Sequence, residues 1–309
     1  MDAQYETAAT KPIRETAYDV SVVLPAYNEA EAIETVIADV RDAMKNADKS
    51  YEILVIDDAS TDKTAAKALA AGARVVRRVQ NGGAGATRKT GILHARGEII
   101  VMLDADGTYH AADIPRLLEH FPEYDQVNGA RTSEKGSMKI LRVPTKWALR
   151  QLAGYLAKTK IPDLNTGLKA FKRDVMRNYL WVIPNGFSCV TSMTMAFLCN
   201  GHPVKYIDSE YHRRIGKSKF HPIADTWNYF LTVLRLIMYF NPLRIFLPVG
   251  FLFILAGSAK VFMDRYWSVL PAIRASTIIL LITGLFIIFF GFIADLLVAT
   301  NRQQAYKDL

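Results

Sequence analysis

Cysteine is scarce in this chain. Cys189 and Cys199 are the only two in 309 residues and lie too far apart for a CxxC metal or redox site, so they read as reduced packing residues. The first residues lack an apolar core: Met1 to Asp19 is polar and mixed in charge, which excludes a signal peptide there and leaves the large domain expected in the cytosol. No nucleic-acid module signature occurs. The net charge of +8 is therefore assigned to anionic lipid or phosphate ligands, with no nucleic-acid partner. The glycine-rich stretch Asn81 to Gly91 lacks the spacing of a phosphate loop, because Arg88 stands where a Walker A loop needs the glycine before Lys89-Thr90. Arg88 also occupies the third glycine position of a dinucleotide fingerprint. Two readings stay open for it: a loop whose backbone approaches a ligand as it enters a helix, or a structural turn.

Hydrophobic residues make up 50% of the chain but are unevenly spread. The expected organisation is a flexible segment 1–18, a catalytic domain 19–225, a juxtamembrane helix 226–242, a transmembrane hairpin 243–300 and a cytosolic tail 301–309. Ala275 to Ala294 carries no charge, and its 20 residues at about 1.5 Å each match a hydrocarbon core of about 30 Å. Ile245 to Ala259 is shorter and spans if Lys260 snorkels and the helix continues to Met263. Arg213, Arg214, Lys217, Lys219, Arg235 and Arg244 precede the first span, against Lys260, Arg265 and Arg274 between the two, which favours both flanks inside. Trp227, Phe230, Leu231, Leu234 and Met238 recur at helical spacing, as in an amphipathic interfacial helix or a plain packing helix.

The polar part alternates strand and helix patterns. Strands are expected at Val20–Leu24, Glu52–Ile56, Arg74–Arg78 and Glu98–Leu103, with helices near 29–45, 62–71 and 84–96. Nearly pure apolar strands between helices predict an α/β fold whose mostly parallel sheet is covered on both faces. In such sheets ligands bind beyond the carboxyl ends of the strands. Glu29, the pair Asp57-Asp58, and Asp104 with Asp106 fall at three such ends, whereas Asp62 and Asp113 read as helix caps.

Asp104-Ala105-Asp106 places two carboxylates just past a buried strand, where they can converge on a divalent cation whose remaining positions a diphosphate fills. Arg213, with Gly216, Ser218 and Lys219, can grip a nucleotide diphosphate or a lipid phosphate; a basic patch that only touches anionic lipid fits the charges equally.

Four segments together resemble the inverting, GT-A-type glycosyltransferases that include dolichol-phosphate mannose synthase and the bacterial polyprenyl-phosphate glycosyltransferases. They are Val22-Val23-Leu24-Pro25-Ala26-Tyr27-Asn28-Glu29, Val55-Ile56-Asp57-Asp58-Ala59-Ser60, Asp104-Ala105-Asp106, and Arg213 to Lys219. The paired C-terminal spans look like the two-helix bacterial branch. The resemblance implies a hexosyltransferase that moves a sugar from a UDP- or GDP-linked donor to undecaprenyl or dolichyl phosphate, with inversion, for cell-envelope glycan or lipid glycosylation. It implies a membrane-embedded enzyme with a cytosolic catalytic domain, on a plasma or bacterial inner membrane. By the same resemblance Pro25, Tyr27, Glu29, Ile56 and Asp58 hold the nucleoside, and Asp104, Ala105 and Asp106 form the metal and diphosphate motif for Mg2+ or Mn2+. Arg213 and Lys219 reach the donor phosphates, while Arg131 and its partner Arg142 meet the acceptor phosphate. The partners implied are nucleotide sugar, polyprenyl phosphate and membrane lipid; a homo-oligomer is left open. Thr108 stands where mannose synthases often carry Gln, and Val190 to Ser192 lacks the acid common in relatives, so the metal shell and the sugar contacts depart from the pattern. The alternatives are a same-fold transferase with another lipid or glycan acceptor, and a catalytically inactive membrane scaffold.

Overall fold

The computed structural model describes residues 6–7, 17–45, 47–131, 151, 153–155, 157–186, 188–210, 231, 234–235, 238–266 and 274–307. The chain divides into two compact units, Met1–Val233 and Leu234–Leu309.

In the first unit the chain runs β1 (Glu6–Thr7), β2 (Tyr18–Ala26), α1 (Ile33–Met44), β3 (Tyr51–Asp57), α2 (Thr64–Ala70), β4 (Arg74–Arg77), α3 (Ala84–His94) and β5 (Gly97–Met102). It continues with α4 (Ile114–Leu118), β6 (Gln126–Arg131), β7 (Lys169–Lys172), α5 (Arg173–Arg177), α6 (Cys189–Cys199) and β8 (Val204–Ser209). The strands form one sheet in the order β1-β4-β3-β2-β5-β7-β6-β8. The expected parallel, mostly helix-covered half is present: β4, β3, β2 and β5 pair in parallel. Connections from β2 lead outward through β3 to β4, and the chain then returns to place β5 on the other side of β2. That reversal opens a crevice beyond the carboxyl ends of β2 and β5. β7 runs antiparallel between β5 and β6. Glu6 and Thr7, inside the lead-in expected to be flexible, add a short edge strand beside β4, and the Glu6 carboxylate accepts from Arg74.

The core follows from the pattern. Val20, Val22 and Leu24 on β2 are buried under Ile33, Val36, Ile37, Val40 and Met44, which recur at three- and four-residue steps along α1. At the opposite end of the sheet from the crevice, Glu52 is buried but satisfied, accepting from the Ser21 hydroxyl, the Arg96 amide and Arg74.

The layer between β7, β6 and α6 is polar. Lys169 and Asn128 are register partners, and both are buried. The Lys169 ammonium donates to the Val190 carbonyl and the Thr194 hydroxyl, both at 2.9 Å, and Gln126 donates to Asn128 and Thr194. Burial, helped by the neighbouring Arg88 charge, pulls the Lys169 pKa down to about 7 from its ordinary 10.5.

In the second unit α7 (Leu243–Tyr266) and α8 (Ala275–Lys307) pack as a hairpin. Leu243–Tyr266 and Ala275–Thr300 are each long and apolar enough to cross a membrane, and their outward faces carry exposed Phe, Leu and Ile. A side chain at Gly250 would lie 2.4 Å from Ile288 and 3.0 Å from the Gly284 carbonyl, so glycine sets the close approach of the two helices. Lys260, expected to snorkel, lies 3.4 Å from Asp264 one turn on. Asp264 in turn accepts the Thr277 hydroxyl and the Arg274 amide at the start of α8. The expected amphipathic helix over 226–242 lies largely outside the described residues.

Between the folded pKa of Lys169, about 7, and its ordinary value of 10.5, the unfolded chain binds a proton that the folded protein does not. Stability therefore rises with pH through that window, and below it the penalty of the buried charge is fully present. Thermal unfolding from pH 7 to 9 should show Tm rising in the intact protein, with a smaller rise in Lys169→Met. Parallel Tm profiles would show that Lys169 is charged throughout.

Candidate functional site

The loops after β2 and β3 are laced together at the crevice. Asn28, at φ +54°, donates its amide to the Ser60 hydroxyl at 3.0 Å and accepts the Thr61 amide at 2.9 Å. The Glu29 amide donates to the Thr64 hydroxyl, and Asp62 takes the amides of both Thr64 and Ala30, so its capping role at α2 extends to the neighbouring loop. Asp113, the other expected cap, makes no capping bond to α4; its carboxylate accepts from Ser209 and Arg116. Pro25, Tyr27, Glu29 and Asp58 are thus brought to one edge. Ile56 stands beside Pro25 in the β2–β3 register, with its side chain fully buried toward α3 at Gly91.

Asp58 is almost completely buried, and its carboxylate has internal partners. The Gly82 amide donates to Oδ1 at 3.0 Å, the Gly83 amide to Oδ2 at 2.9 Å, and Arg78 forms an ion pair with Oδ1. The glycine loop, read above as either ligand-facing or structural, here gives its amides to a protein carboxylate. Gly83 has φ +85°, and a side chain at Gly85 would lie 1.8 Å from the Pro184 carbonyl.

β5 ends at Met102, and the acidic motif follows at once. Ala105 between the two carboxylates is buried in the core. Asp106 Oδ1 accepts the Thr108 hydroxyl at 2.6 Å and the Thr108 amide at 3.2 Å. Thr108, the departure noted in the sequence, thus orients Asp106. Asp104 Oδ1 is paired with the buried guanidinium of Arg88, and its Oδ2 lies against Gly167, where a side chain would come within 2.2 Å. Among the described residues no group of three or more His, Cys, Asp or Glu comes together as a metal site. Two hard carboxylate donors with the remaining positions left to phosphate and water are the donor set that suits Mg2+ or Mn2+ at a nucleotide diphosphate.

β6 ends at Arg131. Its guanidinium forks onto Asp163, with Nε to Oδ2 at 2.7 Å and Nη2 to Oδ1 at 3.0 Å. Burial alone would push the Asp163 carboxyl up, but the hydrogen bond and charge of Arg131 outweigh it and hold the pKa below the ordinary range. Next to this pair, Tyr109 accepts the Gly167 amide at 2.7 Å and so ties the loop before β7 to the acidic motif. Arg142, Arg213 and Lys219 lie outside the described residues. Cys189 and Cys199 are free thiols, as expected, and buried Cys189 contacts Arg88. Sequence reading missed Arg88, Arg78, Asp163 and Gly167. The one available signal was Arg88 itself, the residue that breaks both phosphate-loop patterns.

Residues 21–180 match the family described as Glycosyl transferase family 2, and residues 241–299 match the GtrB C-terminal hairpin. The glycosyltransferase AglJ of Haloferax volcanii is 30% identical over 295 residues, covering 92% of this chain and 95% of the relative. The dolichyl-phosphate hexose transferase of Haloferax volcanii is 29% identical over 208 residues, 67% of this chain and 88% of the relative. Among solved structures, glucosyl-3-phosphoglycerate synthase of Mycobacterium tuberculosis, in complex with Mn2+, UDP and glucosyl-3-phosphoglycerate, superimposes with a TM-score of 0.58 at 22% identity, over 75% of this chain and 88% of that one. That likeness extends the GT-A-type fold to the sheet with β7 inserted. The match over β2 to α5, where the crevice and its carboxylates lie, makes the chain a member of glycosyl transferase family 2, an enzyme that transfers sugar.

Proposed function

We propose that the protein transfers a hexose, with inversion, from a UDP- or GDP-linked sugar to a polyprenyl phosphate, undecaprenyl or dolichyl, at the cytosolic membrane face, for cell-envelope glycan or lipid glycosylation. The observation that carries the reading is the convergence of Asp58, Asp104 and Asp106 on the crevice at the sheet's reversal, in a chain that also carries an apolar hairpin. The acceptor class is supported by the dolichyl-phosphate hexose transferase that this chain resembles. Divalent-cation use is supported by the two-carboxylate donor set and by the Mn2+ and UDP in the structural neighbour. The cytosolic placement rests on the basic residues that flank the first span.

On this reading Pro25, Tyr27, Glu29, Ile56 and Asp58 receive the nucleoside, and Asp104, Ala105 and Asp106 form the motif that holds Mg2+ or Mn2+ with the diphosphate. The cation supplies charge neutralisation for the departing nucleoside diphosphate. Arg213 and Lys219 add positive charge to the same leaving group. The acceptor needs no general base from the protein, because a phosphate monoester with its second pKa near 6 is largely a dianion at neutral pH. The remaining task is alignment of that oxygen with the anomeric carbon. Arg131 and Arg142 are assigned to it. Asp163 keeps the Arg131 fork in one orientation, so the acceptor phosphate meets a cation whose geometry is already set. Direct displacement inverts the anomeric centre.

Purified protein assayed with a panel of nucleotide sugars and one short polyprenyl phosphate should yield a glycosylated lipid with one donor. Transfer only to a glycan or a phosphate-free lipid would replace the proposed acceptor. Asp106→Ala or Asp104→Ala should lower turnover by about a hundredfold or more, and chelator should abolish it, since diphosphate charge is left uncompensated. Full activity in chelator would remove the cation from the reaction. Arg131→Ala should raise KM for the lipid phosphate by about tenfold while leaving donor KM within about twofold. Equal changes for both substrates would take Arg131 off the acceptor path.

A further inference from the structure

The buried ion pair behind the acidic motif has no part in the function proposed above. Arg88 is a charged residue with a side chain only 7% exposed, carried on α3 to the Asp104 carboxylate. Its Nη2 pairs with Asp104 Oδ1, while its Nη1 donates to the Ala84 carbonyl at 3.2 Å and reaches Cys189 Sγ at 3.7 Å. Its Nε is buried with no hydrogen-bond partner among the described residues. A residue kept for packing alone would not bury a charge and leave a donor unsatisfied, and such groups in folded proteins call for another explanation. The other face of Asp104 is equally constrained. Oδ2 rests on Gly167, and Gly167 is itself held through its amide by Tyr109. The carboxylate is therefore clamped between a guanidinium and a glycine before any ligand arrives.

Clamping has an electrostatic consequence. Asp104 and Asp106 together carry two negative charges, and Arg88 cancels one of them at contact distance in a partly desolvated place. The carboxylates left to a lone divalent cation then form a weak site, one that becomes strong only when a diphosphate brings its own oxygens and charge.

We propose that Arg88 is a positioning residue for the transfer reaction: it fixes the Asp104 carboxylate in its working orientation and keeps the empty pocket from taking up divalent cation without the donor. The inference rests on the assignment of Asp104 and Asp106 to the cation. Removing partners around metal-binding side chains typically costs about 10–100-fold in metal affinity or activity; here the loss is expected in activity, because the Arg88 charge opposes a lone cation.

The test uses the full-length protein and Arg88→Met and Arg88→Lys variants, with folding checked by circular dichroism. Mn2+ binding to the free enzyme is read by electron paramagnetic resonance, without nucleotide and then with UDP and with GDP. Arg88→Met frees an Asp104 oxygen, so it should bind Mn2+ alone at least about fivefold tighter than the intact protein. Its kcat should fall by about tenfold or more, with Arg88→Lys intermediate in both readouts. A residue that only supports the fold would lower Mn2+ binding and turnover together. If Arg88→Met does not fold, Arg88→Lys decides: it keeps the charge and loses the planar fork, so lower kcat with equal or tighter lone Mn2+ binding supports the inference. Unchanged or weaker lone Mn2+ binding in a folded Arg88→Met, or unchanged kcat in Arg88→Lys, overturns it. Failure of the cation assignment is distinguishable, because then Asp106→Ala leaves Mn2+ binding with nucleotide intact.

Discussion

Helix α3 can reach the pocket floor only because its first turn touches the 184–185 backbone. Gly83 and Gly85 permit that contact: the Gly85 amide donates to the Asn185 carbonyl at 2.7 Å, and any side chain at Gly85 would overlap the Pro184 oxygen. Much of the site depends on this approach. It fixes the amides of Gly82 and Gly83 under Asp58, sets Arg88 against Asp104, and brings the start of α6 beside both through Cys189. A β-carbon at this one contact would shift the partners of two carboxylates that follow different strands, Asp58 after β3 and Asp104 after β5.

The carboxylates at the crevice share a solution to a common problem. Acids grouped at the ends of parallel strands repel each other and lose hydration, yet each must be ready for an incoming ligand. Asp58 is met by two amides and Arg78, Asp104 by Arg88, Asp106 by Thr108, and Asp163 by Arg131. Each carboxylate has a partner of its own and therefore a fixed direction. Preorganised groups of this kind need little rearrangement as charge develops in a reaction.

What could be read from the sequence was whatever is encoded locally. The strands from β2 to β5 announce themselves through apolar runs, and the acids directly after them needed only the rule that ligands collect at carboxyl ends. The edge strand at Glu6 was not legible, since two residues carry no period of their own, and no local signal sets β7 antiparallel between β5 and β6. The pairs Arg88–Asp104 and Arg131–Asp163 were hidden for another reason. Their members sit 16 and 32 positions apart, and nothing in either segment names the other. Ile56 illustrates the converse: the motif names it for the nucleoside, and its complete burial could be read only from the uninterrupted apolar run of β3.

Asp264 ties the pairing of the two helices to the satisfaction of a single buried acid. Its carboxylate is nearly fully buried and takes the Thr277 hydroxyl and the Arg274 amide, groups that belong to the start of α8. Of Thr277, Arg274 and Lys260, only Lys260 belongs to α7 itself. A buried acid without its full set of donors costs about 1–3 kcal/mol. Pairing of the two helices is therefore a condition for satisfying this carboxylate as well as a result of apolar packing, and α7 without α8 keeps a buried acid with one of its three partners.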